Sequence, residues 1–145
     1  MADDSRNAIV AAIVTRLKTI KKTGGFKTDA GTNVTTWRAV PPASSECPTL
    51  DVRDSTRRKK GVYTQGVKDY DLTVDVMAFE AIGSTVNQDL DNAIEDIIKA
   101  LEEGDDTFGG LTIEIEYEED NKFIDQREVK TGVAVVRFAI RYRKI

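Results

Sequence analysis

Residues 67–79 read VKDYDLTVDVMAF. Apolar side chains fall on every second position, at Tyr70, Leu72, Val74, Val76 and Ala78, while Asp69, Asp71, Thr73 and Asp75 fill the places between. Successive side chains of a strand point to opposite faces, so this stretch predicts a strand with one face in a core and the other wet or at an interface. The fold follows from asking what covers the apolar face and what meets the acidic one.

Two segments can cover it. Ile9, Val10, Ile13, Val14, Leu17 and Ile20 recur at the spacing of a one-sided helix, with Asp3, Asp4 and Ser5 as N-cap candidates. Lys18, Lys21 and Lys22 stand near its expected end, where they complement the helix dipole, and Gly24-Gly25 stops it. A second helix opens after Gly83-Ser84, with Val86, Leu90, Ala93, Ile94, Ile97, Ile98 and Leu101 on its apolar face and Gly104 as its stop. Four more strands are expected. Val34–Val40 ends at Pro41-Pro42. Thr49–Asp54 sets Leu50 and Val52 against Asp51 and Arg53. After Gly109-Gly110, Leu111, Ile113, Ile115 and Tyr117 face inward and Glu114, Glu116 and Glu118 outward. Finally Ala134, Val136, Phe138, Ile140 and Tyr142 alternate with Arg137, Arg141 and Arg143. The order α-β-β-β-α-β-β, with one apolar stripe per helix and one apolar face per major strand, predicts a single α+β domain over residues 1–145. Its two layers are a mostly antiparallel sheet and two helices on one face.

Charge is segregated along the chain. Residues 84–120 hold thirteen Asp/Glu and one Lys, whereas residues 121–145 hold seven Lys/Arg and two Asp/Glu. The outer sheet face therefore carries Asp69, Asp71 and Asp75 on one strand, Glu114, Glu116 and Glu118 on another, and Arg137, Arg141 and Arg143 on a third. Two readings stay open. The charges pair across strands in one chain, for ~0.2–1 kcal/mol each. Alternatively, acidic and basic surfaces of identical subunits meet head to tail, a contact that closes into rings when the rotation allows.

Little points to catalysis. Histidine is absent, which removes the commonest general base and zinc ligand. Cys47, the one cysteine, has no histidine to activate it, and Trp37 reads as core or interface packing. The three aspartates of the outer face lie in a row and do not wrap around an ion. GGFKTDAGTN, residues 24–33, lacks the phosphate-loop pattern and reads as a flexible turn. No enzyme activity, cofactor or metal is expected. The start MADDSRNAIV is not a signal peptide, and no stretch approaches the ~20 apolar residues of a membrane helix, so the reading is a soluble protein made in the cytoplasm.

Arg57, Arg58, Lys59 and Lys60 stand together in DSTRRKKGVYTQG, residues 54–66, within a chain of formal net charge −4. With Gly61 and Gly66 nearby, residues 55–66 are expected as a mobile basic loop that contacts a protein partner and, secondarily, touches DNA without reading sequence.

IVAAIVTRL (9–17), RAVPPASSECPTLDVRD (38–54), YDLTVDVMAFEA (70–81), STVNQDLDNAIEDIIKAL (84–101), FGGLTIEIEYEE (108–119) and VAVVRFAIRYR (133–143) together resemble the tail terminator, or tail completion, proteins of long-tailed bacteriophages. The resemblance spans nearly the whole chain and rests on pattern and element order. It implies a structural virion protein at the head-proximal end of the tail, assembled in the host cytoplasm. It further implies a homo-oligomeric ring, commonly a hexamer, that caps the tail tube, ends its elongation and joins it to the head-side connector protein. It brings no catalytic residues, and residues 57–60 match no motif of the family. The alternatives are another neck or connector protein of such tails, or a small α+β ligand- or nucleic-acid-binding regulatory domain.

Overall fold

The computed structural model describes residues 4–64, 66–103, 105, 107–126 and 130–144, and of Asp4 and residues 61–64 the backbone alone. Its elements are α1 (Asp4–Leu17), β1 (Val34–Thr36), β2 (Thr49–Thr64), β3 (Val67–Ala81), α2 (Val86–Glu102), β4 (Glu114–Asp125) and β5 (Thr131–Lys144). The α+β class and the order α-β-β-β-α-β-β are those expected. The strands form one sheet in the order β1-β2-β3-β5-β4. β1 runs parallel to β2, and every other pairing is antiparallel.

The core lies between the sheet and the helices. From β3 it takes Leu72, Val74, Val76 and Ala78, and from β5 Ala134, Val136, Phe138, Ile140 and Tyr142, as the alternation predicts. Leu90, Ala93, Ile94, Ile97 and Leu101 of α2 and Ile9, Ile13 and Leu17 of α1 close over them. α2 sits directly on Gly132, where an added Cβ would come within 2.6 Å of Val86.

Several boundaries differ from expectation, each for a local reason. α1 stops at Leu17 instead of running to Gly24-Gly25, because the chain tightens there: Thr19 and Ile20 donate to the carbonyls of Arg16 and Leu17. Lys18, Lys21 and Lys22 thus lie beyond the helix. Of its N-cap candidates, Asp3 lies outside the described residues, as does Gly104 after α2. β1 ends at Thr36 because Trp37 adopts φ 47°, and Trp37 is 59% exposed, so it is not a core residue. Leu111 and Ile113, expected inward, are each 41% exposed. Phe108 is buried in their place, in a turn where Asp105 accepts from the N–H groups of Thr107 and Gly109. β4 continues past Glu118 as far as Asp125, and residues 127–129 lie outside the described residues.

The largest difference concerns residues 55–66. Through Thr64 they continue β2 and are not a loop, and Gly66 is a turn residue just before β3, with Gln65 outside the described residues. Backbone pairing to β3 holds this polar stretch extended, from Arg57 opposite Leu72 to Thr64 opposite Val67. Three irregularities in register accommodate it, between Asp54 and Arg57, Lys59 and Gly61, and Val62 and Thr64.

Residues 24–33 are packed down rather than open. Asp96 of α2, 2% exposed, accepts from the N–H groups of Lys27 and Thr28 and from the Thr28 hydroxyl at 2.7–3.0 Å. Gly31 donates to the Ile20 carbonyl at 2.9 Å, and a Cβ there would lie 2.4 Å from the Leu17 carbonyl oxygen. The obstacle is backbone and cannot rotate away. Gly31→Ala is therefore expected to destabilise the protein by about 1–3 kcal/mol. Urea unfolding of the variant beside the wild type measures this, and an unchanged midpoint would contradict the packing.

Candidate functional site

The outer sheet face, away from the helices, gathers most of the charged residues singled out in the sequence. The β3–β5 register puts Asp69 opposite Arg143, Asp71 opposite Arg141 and Asp75 opposite Arg137. Arg137 grips Asp75 with Nε at 2.9 Å and Nη2 at 3.2 Å, and Arg143 grips Asp69 in the same way at 2.8 and 3.3 Å. Arg141 reaches Asp71 at 3.4 Å. Asp69 is 2% exposed, while the Arg143 side chain is 47% exposed. The guanidinium shields the carboxylate and meets water itself.

The flanking strands extend this pattern into rows of alternating sign. One row runs Arg53, Asp75, Arg137, Glu119 and another Arg58, Asp71, Arg141, Glu114, one residue from each of β2, β3, β5 and β4. Arg141 contacts Glu114 at 3.4 Å, Arg137 contacts Glu119 at 3.3 Å, and Lys60 shares Asp71 at 3.4 Å. Hydrogen bonding to Asp75 holds the Arg137 pKa above its ordinary value, with the charges of Glu119 and Glu118 adding to it. Glu119 was missed because a shift in register between Tyr117 and Glu119 sets it, not Glu118, opposite Arg137. Strict alternation cannot foresee an inserted residue. Arg58, Lys60, Asp71, Thr73, Glu118 and Ala139 line a cleft of about 270 Å³ on this face.

The four consecutive basic residues divide between the faces. Arg58 and Lys60 belong to the outer one. Arg57 turns the other way, 5.0 Å from the Tyr70 ring centroid, and donates to the Tyr142 hydroxyl at 3.4 Å. Tyr70 and Tyr142 stack at 5.5 Å. Lys59, opposite Tyr70, is exposed. Arg57 is exposed yet lies over the Tyr70 ring, a placement the sequence did not disclose.

Two further polar clusters fix the approach to β2. Asp51, fully buried, accepts from the Thr35 hydroxyl at 2.7 Å, from Arg53 Nε at 2.7 Å and from the Arg38 N–H. Asp54 accepts from Trp37 Nε1 at 2.9 Å and pairs with Arg6 of α1. Burial alone would raise the Asp54 carboxyl, but the hydrogen bonds from Trp37 and Arg6 together hold it below its ordinary value. Cys47 lies just before β2, and burial first, then the charges of Glu80 and Glu46, push its thiol up. Among the described residues no cluster of three or more carboxylate, cysteine or histidine side chains could hold a metal ion.

One other concavity contains a strongly perturbed group. Lys22, Lys27, Asp29, Glu80, Asp89 and Asn92 line an open cleft of about 360 Å³ between the end of β3 and the first turns of α2. Burial, with Asp89 adding, raises the Glu80 carboxyl to about 7. The unfolded chain ionises this group near 4.5, so between the two values the folded state binds the extra proton. That contribution is present at low pH and is lost as pH rises through about 7. Glu80→Gln is expected to raise Tm at pH 8, to leave it unchanged at pH 4, and to flatten the profile between.

Asp75→Ala and Arg137→Ala are expected to couple by about 0.2–1 kcal/mol in a double-mutant cycle of stability, less in high salt. The coupling should not depend on protein concentration, because both partners are in one chain. Coupling seen only where the protein self-associates would assign the pair to a contact between subunits.

No protein-family model matches the chain, and no curated protein matches it.

Proposed function

We propose that this protein is a tail terminator of a long-tailed bacteriophage: a structural subunit of a homo-oligomeric ring that caps the tail tube, ends its growth and offers the surface to which the head-side connector binds. The observation that carries the reading is the element order α-β-β-β-α-β-β, folded as one two-layer unit, which is the order on which the family resemblance rests. The chemistry of the surface is compatible with this role. Its densest constellation is a set of ion pairs on a sheet face, where charge sets orientation and encounter more than it adds affinity. No helix of the described residues is long and apolar enough to cross a membrane.

Deletion of the gene in a phage that carries it, with the tails viewed by electron microscopy, tests the reading. Tubes that overgrow to variable length, and that purified protein restores to uniform length when supplied during assembly, are the expected result. Tubes of normal length that fail only to join heads would assign the protein to the neck instead. Normal infectious particles would overturn the proposal.

A further inference from the structure

The sheet has two open margins, and they are opposite in sign. β1 covers β2 only at residues 50–52, so beyond that point, among the described residues, β2 has β3 on one side and no strand on the other. At the far side, β4 pairs with β5 alone among the described residues. The β2 margin carries Arg57, Arg58, Lys59 and Lys60 in succession. The β4 margin carries Glu114, Glu116, Glu118, Glu119 and Asp120, and the one Lys or Arg within β4 itself, Lys122, is drawn onto α2 by Asn87 and Asp91.

An uncovered strand edge invites pairing with another chain, and charge and bulges are the usual means of limiting which chain. Here both devices are present, with the charge sorted by margin. Two β2 margins brought together would oppose cation to cation, and two β4 margins anion to anion. The contact that neutralises both is β2 of one copy against β4 of another. A two-fold contact through either margin alone is thus disfavoured, and the head-to-tail arrangement that closes rings is left. The central pairs cannot supply this contact, because Asp69, Asp71 and Asp75 already hold Arg143, Arg141 and Arg137 of their own chain. Side chains at the margins can. Arg58 and Lys59 on β2, and Glu116 and Glu118 on β4, form no ion pair among the described residues and are exposed.

We propose that the subunit joint of the assembly is the basic margin of β2 in one copy against the acidic margin of β4 in the next. The proposal rests on the ring reading and names where the ring is joined. The bulges in β2 make it a joint of side chains before backbone. Its consequence is directional, since every copy presents one basic and one acidic margin and each is used once.

Reciprocal charge reversal tests it. One variant carries Arg58→Glu with Lys59→Glu, and the other Glu116→Lys with Glu118→Lys. Each alone opposes like charges at the exchanged positions of the joint and is expected to lose self-association by about tenfold or more. The two mixed in equal amounts oppose unlike charges at those positions in every joint and are expected to assemble with alternating subunits. Sedimentation of concentrated protein at low ionic strength, where the Debye length is ~30 Å at 0.01 M, reads the result. Circular dichroism reports folding. Should a variant not fold, oxidation of a Cys47→Ser protein carrying Lys59→Cys and Glu116→Cys decides the matter: a ladder of linked copies supports the joint and its absence overturns it. Variants that assemble alone like the wild type, or a mixture that does not recover, also overturn it. So does a loss of short duplex DNA binding with association unchanged, which would assign the β2 cations to phosphate. A wild type that caps tubes while failing these tests refutes the joint and leaves the ring reading standing. A wild type that neither assembles nor caps tubes refutes both.

Discussion

The pairing of β3 with β5 governs the rest of the molecule. It runs from Lys68 opposite Lys144 to Ala81 opposite Thr131 without a break, in a sheet whose other long pairings are interrupted. A slip of one residue would turn one of the two apolar rows out of the core, so burial alone forbids it. A slip of two residues would keep the faces and is a subtler error. In the native register three aspartates meet three arginines. A two-residue slip leaves a single match, Asp69 with Arg141 in one direction or Asp71 with Arg143 in the other. Ion pairs too weak to add much stability one by one are thus well suited to choosing among arrangements that bury similar apolar area.

What could be read in advance follows the same division. Residues 70–78 and 134–142 were legible because one face is almost entirely buried and the other mostly polar, and α2 because its stripe is uninterrupted. Residues 55–64 were not, because a run of Arg and Lys beside a glycine has no apolar face. That segment is extended through its backbone partners on β3, which lie in later sequence. β4 was foreseen, but its bounds were not, for a related reason. Its exposed Glu-rich half has only Ile115 and, in part, Tyr117 against the core, so the pattern of burial that marks a strand is faint.

Of the candidate contact residues, the aspartates of β3 and the arginines of β5 were both legible and brought together, because period-two spacing on two neighbouring strands suffices to align them. Arg57 was grouped with its three neighbours by charge, yet its guanidinium lies against Tyr70 and Tyr142. Sequence shows four like residues in a row; a strand sends them alternately to its two faces. Glu80 gave no signal at all, since its perturbed carboxyl depends on Asp89 and on burial at the end of a strand.

The interruption between Tyr117 and Glu119 has an evolutionary consequence. The residues on either side already hold separate alignments to β5, Glu114 to Tyr117 on one and Glu119 to Asp125 on the other. Loss of Glu118, or gain of a neighbour, would alter the kink between them and leave each half with a partner strand. The same change in β3 would displace half of the central seam relative to the other half and turn its apolar row outward. Length variation among descendants of this sequence is therefore expected to collect at the two borders of the sheet, around residues 54–64 and 117–119, while the middle strands keep their spacing residue for residue.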